Sequence, residues 1–206
     1  GMSYPKLRIQ GIEVGIPGLN PKALKGKMDA AYKAIVKKAY KDAYYALVKP
    51  KPEDEELSKA MMGYIDAKWQ GGIAELEAVE ASGDIVSLAN EAAKQRNAFK
   101  GIEGFDQKMK RFDEGLDKDP WRKEISTGKA YLSFLGALKK YKSQSSVKGL
   151  EKFAQENPTS IYGKWAKAVL KEFTANGTIS VSANGRPFDL APADTTGTTP
   201  LLQPRQ

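Results

Sequence analysis

The sequence of 206 residues contains neither cysteine nor histidine. Without cysteine the chain has no disulfide, no thiolate nucleophile and no Cys/His metal site. Without histidine it also lacks the usual general base near neutral pH and every nucleophile that an imidazole activates. Carboxylates and lysines remain as acid–base groups. We therefore predict a protein that is not an enzyme, with no catalytic residue, no cofactor and no metal.

Arginine is scarce, so the formal net charge of +8 rests mainly on lysine. Most of this charge lies on residues 21–173. A basic body of this kind suits nucleic acid, an anionic envelope surface or an acidic protein. However, base readout and planar phosphate recognition rely on the arginine fork, which lysine does not reproduce. We favour a solvated lysine surface, and we keep a lysine-rich binder of nucleic acid or anionic surfaces as an alternative function.

Long hydrophobic runs are also missing. No apolar stretch reaches the roughly 18 residues that a membrane-spanning helix needs, so we predict no membrane span. No secretory signal is recognisable. Gly1 before Met2 is typical of a residue left after removal of a purification tag. If Met2 is the native start we expect a cytoplasmic protein, and if an export signal has been removed we expect the cell envelope or periplasm.

What the chain does contain is helical periodicity, which predicts a helical domain over residues 21–175. A strand and loop over 1–20 precede it, and a hairpin-like segment with a poorly structured tail over 176–206 follows. The first predicted helix begins at Asn20-Pro21, where Asn can cap the helix and Pro fits its first position. It runs as one long helix to Lys49-Pro50. Its apolar stripe consists of Leu24, Met28, Ala31, Ile35, Ala39, Ala43 and Leu47.

Turn residues divide the rest of that domain into further helices. The acidic run at 53–56 begins a helix that ends near Ala81, and Gly71-Gly72 inside it predicts a kink or a close approach of another backbone. Shorter helices are predicted over 85–99, 102–116, 121–141, 147–157 and 161–174. Helices joined by short turns predict an all-α fold of stacked antiparallel helical hairpins, either a bundle or a repeat array.

Short alternating stretches flank the helices and predict a β element near the termini. One covers residues 7–9, and the other covers 178–181 before the turn at Asn184-Gly185. We favour a local hairpin that pairs 178–181 with 187–190, because closing a short loop costs little entropy. The alternative pairs 7–9 with 179–181 and brings the two ends of the helical body together.

Residues 149–166 carry the most informative pattern. Gly149 permits a close approach of two helices, and Phe153 fills the space between them. Pro158 then ends the helix and Ser160 caps the next one, which opens with an aromatic and a small residue. This pattern resembles the tetratricopeptide-like helical repeat.

A wider segment, residues 74–173, resembles the helical extension of thioredoxin-like domains in some exported bacterial proteins, with the thioredoxin part absent. Within it, residues 81–101 look like a degenerate earlier copy of the repeat. No thiol redox activity carries over, because the chain has no Cys-x-x-Cys. The resemblance implies a fold and a binding scaffold rather than a substrate.

Tyrosines and lysines interleave on the first predicted helix. Such residues can stack bases and follow phosphates, although more often the tyrosines are half-buried at helix contacts. Tyr40, Tyr44, Tyr45 and Trp69 are the residues that we expect to contact a partner. Our main hypothesis is a non-enzymatic protein–protein interaction or scaffolding module that binds protein or peptide in a groove between hairpins. A further alternative is an accessory structural subunit of a larger assembly, and the oligomeric state is left open.

Overall fold

The computed structural model describes residues 8–9, 12–13, 15–16, 19–188 and 190. This part of the chain is all-α, as predicted. It contains the helices α1 (Gly26–Val36), α2 (Tyr40–Leu47), α3 (Glu55–Ala81), α4 (Ile85–Phe99), α5 (Glu103–Leu116), α6 (Trp121–Tyr141), α7 (Gln144–Glu156) and α8 (Ile161–Asn176). In the described residues, no helix combines the length and apolar character that a membrane crossing requires. The arrangement as stacked repeats stays a prediction.

The extended segments are short. Near the start, β1 (Arg8–Ile9) pairs antiparallel with β2 (Ile12–Glu13). Near the end, Val181 and Pro187 form a single antiparallel bridge around the Asn184-Gly185 turn. No strand forms in residues 178–188, so the predicted pairing of two strands is reduced there to this bridge. Leu7, which belongs to the alternative pairing, and the tail beyond Leu190 lie outside the described residues.

The contacts divide the chain into two compact units. Unit 1 comprises the described residues of 1–75 and 93–110, and unit 2 comprises those of 76–92 and 111–206. The helices α3, α4 and α5 contribute residues to both units. The division predicted from the sequence runs along other boundaries and stays a prediction.

The prediction of a single long helix over residues 21–48 is wrong. A short 3-10 turn (Pro21–Ala23), with Asn20 as its cap, precedes α1, and α1 ends before α2 begins. At the break the Lys38 N–H donates to Ile35 O at 2.9 Å and the Ala39 N–H donates to Ala34 O at 2.9 Å. This hydrogen-bond pair is a Schellman motif, and Lys38 adopts its left-handed position with φ of 60°. Glycine usually occupies that position, so a lysine there does not indicate the break.

We expect Lys38→Gly to stabilise the protein by about 0.5–1 kcal/mol, because glycine adopts positive φ without the steric cost that a Cβ brings. The matched control is Lys37→Gly, since Lys37 has φ of −78°. That change should destabilise the protein. Chemical denaturation of both variants measures the difference, and equal effects at the two positions would contradict the expected role of the left-handed backbone.

In unit 1, α1 packs against α2, and an aromatic cluster joins α2 to the end of α4 and the start of α5. Tyr40 stacks on Phe99 with ring centroids 4.8 Å apart, and Phe99 lies against Phe105. At the glycine pair predicted to kink α3 or to admit another backbone, the close neighbour is a side chain, because a Cβ on Gly72 would overlap the side chain of Gln95, while a Cβ on Gly71 would meet nothing within 4 Å. The helix α3 continues through both glycines.

The core of unit 2 centres on Tyr131, whose ring contacts Phe153, Tyr162 and Trp165 at centroid distances of about 6 Å. Two predicted local roles are confirmed nearby. A Cβ on Gly149 would lie 3.3 Å from the ring of Phe134, which itself packs on Phe153. The hydroxyl of Ser160 accepts a hydrogen bond from the Tyr162 N–H and caps α8.

Candidate functional site

A cavity of about 580 Å³ opens in unit 1, between the start of α1 and the segment that joins α2 to α3. Its walls come from two stretches of chain, 23–28 and 49–57. Helices α1 and α2 pack against each other, and the start of α1 and the segment after α2 line the same cavity. The lining residues are Ala23, Leu24, Lys25, Gly26, Lys27, Met28, Lys49, Pro50, Lys51, Glu53, Asp54 and Leu57.

Four lysines stand at this cavity, in two Lys-x-Lys pairs. Lys25 and Lys27 flank Gly26 at the start of α1, and Lys49 and Lys51 flank Pro50 after α2. All four side chains are exposed. Because the pairs are far apart along the chain, only the return of α2 along α1 brings their charges together. These lysines are the residues that sequence reasoning missed.

The charges at the cavity are unequal. The lining contains two carboxylates, Glu53 and Asp54, beside the four lysines. The Lys51 Nζ atom lies 3.6 Å from Glu53 Oε1. Within the described part of the chain, no salt bridge engages Lys25, Lys27 or Lys49. The cavity therefore has an excess of positive charge.

The start of α1 adds to this positive potential. Lys25 occupies the cap position and its side chain makes no capping hydrogen bond. The first N–H groups of a helix have no acceptor inside the helix, and its dipole is positive at this end. Two of the residues that begin α1, Gly26 and Lys27, line the cavity.

Apolar side chains complete the wall. Met28 is buried, and Leu24, Pro50 and Leu57 are half-buried. The lysines, by contrast, are exposed. The lining thus combines buried or half-buried apolar side chains with exposed ammonium groups. Among the described residues, the ionisable side chains of the lining are lysines and carboxylates, which suits binding of an anion with an apolar part.

The structure places the four predicted partner-binding residues elsewhere, and three of them, Tyr40, Tyr45 and Trp69, lie against residues 99–104. Tyr40 is 8% exposed and stacked on Phe99, so its ring belongs to the core and is not presented to a partner, contrary to the prediction. Tyr44 is half-buried and meets Tyr45 edge-on. None of the four residues lines the cavity.

Tyr45 and Trp69 each support the same turn. The Tyr45 hydroxyl, on a side chain that is 57% exposed overall, donates to the Gly101 carbonyl oxygen at 3.1 Å. The Trp69 Nε1–H donates to Asp66 Oδ1 at 2.9 Å, and its ring lies where a Cβ on Gly104 would be 3.1 Å away. These contacts account for the aromatic residues structurally, and a partner-binding role for Tyr44, Tyr45 and Trp69 stays a prediction.

Comparisons of the chain with protein-family models, with curated proteins and with solved structures found no match. The resemblance to tetratricopeptide-like repeats and to the helical extension of thioredoxin-like proteins therefore stays a prediction. In the described residues, no group of three or more carboxylates is placed to hold a metal ion.

Proposed function

We propose that the protein is a non-enzymatic binding module that captures an acidic segment of a partner protein at the lysine-lined cavity of unit 1. The observation that carries this proposal is the meeting of two Lys-x-Lys pairs, 25–27 and 49–51, at one cavity. A concave site with a few convergent charges and an apolar lining is the usual form of a ligand site. The uncapped start of α1 favours the same sign of ligand charge.

The chemistry of the lining favours a carboxylate-bearing peptide over nucleic acid. In the described part of the lining the cations are all lysine, and no arginine offers planar, two-pronged recognition of phosphate. Of the lining residues that the structure describes, none carries an aromatic ring on which a base could stack. Aliphatic groups such as Leu24 and Leu57 instead suit the side chains of a peptide.

The test is a variant in which Lys25, Lys27, Lys49 and Lys51 are all changed to Gln. A fluorescently labelled peptide rich in glutamate is titrated with the wild type and with the variant at low ionic strength. We expect the variant to bind about tenfold to a hundredfold more weakly, because each exposed ion pair contributes a few tenths to about 1 kcal/mol. Raising the salt concentration should weaken wild-type binding as well.

A matched control separates a site from general surface charge. Lys148, Lys164, Lys167 and Lys171 are exposed lysines of α7 and α8 in unit 2, and their replacement by Gln removes the same charge. That control should bind the peptide nearly as well as the wild type. Equal losses in the two variants would refute the site. Tighter binding of a single-stranded oligonucleotide of matched charge would make nucleic acid the partner and refute the proposed ligand class.

A further inference from the structure

We infer that the cavity recognises an apolar side chain flanked by carboxylates, and not acidic charge alone. This inference rests on the proposed function and specifies its ligand. The partner segment would place a leucine-sized side chain against Leu24, Met28 and Leu57, while neighbouring carboxylates meet the lysines.

The apolar residues of the cavity are only partly buried. Leu24, Pro50 and Leu57 are half-buried, so part of each side chain still faces solvent in the unbound protein. Covering exposed apolar surface is favourable in proportion to the area removed from water. These three residues and the buried Met28 all line the same cavity, so we expect a single ligand side chain that enters it to cover part of their apolar surface.

The volume and the charges of the cavity also favour a mixed ligand. A cavity of about 580 Å³ exceeds what a lone carboxylate fills and falls within the usual range for ligand sites. Glu53 and Asp54, which also line it, penalise a ligand that is uniformly acidic, because like charges repel. A segment with an apolar residue between its carboxylates can engage the lysines while placing neutral surface near these two acids.

The experiment compares two labelled peptides of equal charge that differ only at a central position, leucine in one and serine in the other. Binding of both to the wild-type protein is measured by fluorescence anisotropy at low and at high salt. We expect the leucine peptide to bind about tenfold more tightly. The ratio of the two affinities should persist at high salt, since salt screens charge but leaves apolar burial in place.

Two further variants locate the effect. Leu24→Ala with Leu57→Ala should reduce the preference for leucine to about twofold or less, while Leu170→Ala, at a half-buried position of α8, should leave it unchanged. Circular dichroism checks that each variant is folded. Equal affinities of the two peptides for the wild type would overturn the inference. If the two peptides bind equally but the lysine variant still binds them more weakly, the proposed function stands without the inference. If neither peptide binds the wild type, the proposed function is refuted together with the inference.

Discussion

Replacing Asp84 with alanine is expected to lower the free energy of unfolding by about 3–5 kcal/mol, because its carboxylate is buried and accepts four hydrogen bonds. Asp84 is 2% exposed. Oδ1 accepts from the Ser87 N–H at 3.1 Å and from the Tyr162 hydroxyl at 2.7 Å. Oδ2 accepts from the Ser87 hydroxyl at 2.5 Å and from Asn184 Nδ2 at 2.7 Å. Hydrogen bonds to a charged group contribute about 1.5–3 kcal/mol each, and donors left buried without an acceptor add to the cost.

Tyr162, which donates a hydrogen bond to Asp84, increases the loss of stability expected for Asp84→Ala. Burial, together with the neighbouring charge of Asp84, raises the pKa of the Tyr162 hydroxyl, which therefore stays protonated and donates. The same hydroxyl accepts from the Val86 N–H at 2.9 Å. Without Asp84 the hydroxyl keeps its buried position but loses its acceptor.

Two milder variants calibrate the measurement, which is equilibrium denaturation with guanidinium. Tyr162→Phe should cost about 2 kcal/mol, because it removes the hydroxyl that links Asp84 to Val86. Ser87→Ala should cost about 1 kcal/mol, since three donors to the carboxylate remain. The expected order of destabilisation is therefore Asp84→Ala, then Tyr162→Phe, then Ser87→Ala. A cost for Asp84→Ala no greater than that for Ser87→Ala would show that the carboxylate is dispensable.

Some contacts of Asp84 can be predicted from the sequence and others cannot. Ser82-Gly83-Asp84 predicts the end of one helix and the cap of the next, and Asp84 does cap the start of α4 through the Ser87 N–H. A helix cap depends on residues that are close together in the sequence, so it can be predicted from the sequence alone. The Tyr162 and Asn184 contacts join residues 78 and 100 positions apart. No local pattern encodes these contacts, because they depend on the tertiary arrangement of unit 2.

The candidate site also depends on tertiary structure. It was not predicted because residues 21–48 were predicted to form one continuous helix. In such a helix, Lys25 and Lys49 would be about 36 Å apart at 1.5 Å per residue. The left-handed Lys38 ends α1 instead, and α2 returns the second lysine pair to the first. Periodicity does not reveal the break, because the apolar stripe predicted for one helix is compatible with the core-facing sides of two. The predicted aromatic site failed at Tyr40 because an aromatic pattern alone does not distinguish core from surface.

Gly163→Ala is the second change for which we expect a large effect, a loss of at least about 2 kcal/mol. The turn between α7 and α8 passes so close to the start of α8 that a Cβ on Gly163 would overlap the carbonyl oxygen of Asn157. This obstacle is backbone, so a rotamer change cannot relieve it. The N–H of Asn157 donates a hydrogen bond to Phe153 O at 3.1 Å, so Asn157 is held in place at the end of α7. Inserting a methyl into such packing typically costs 1–3 kcal/mol, and here the clash should outweigh alanine's helix preference of about 1 kcal/mol.

The matched control is Gly136→Ala, the same chemical change within a helix of the same unit. A Cβ on Gly136 meets nothing within 4 Å, so alanine should stabilise α6 by up to about 1 kcal/mol. Thermal unfolding should therefore move in opposite directions, with a fall of roughly 4–8 °C for Gly163→Ala and a rise of about 2 °C for Gly136→Ala. A Gly163→Ala protein as stable as the wild type would mean that the α7–α8 turn has room to move away, because the methyl group cannot be placed while Asn157 keeps its position.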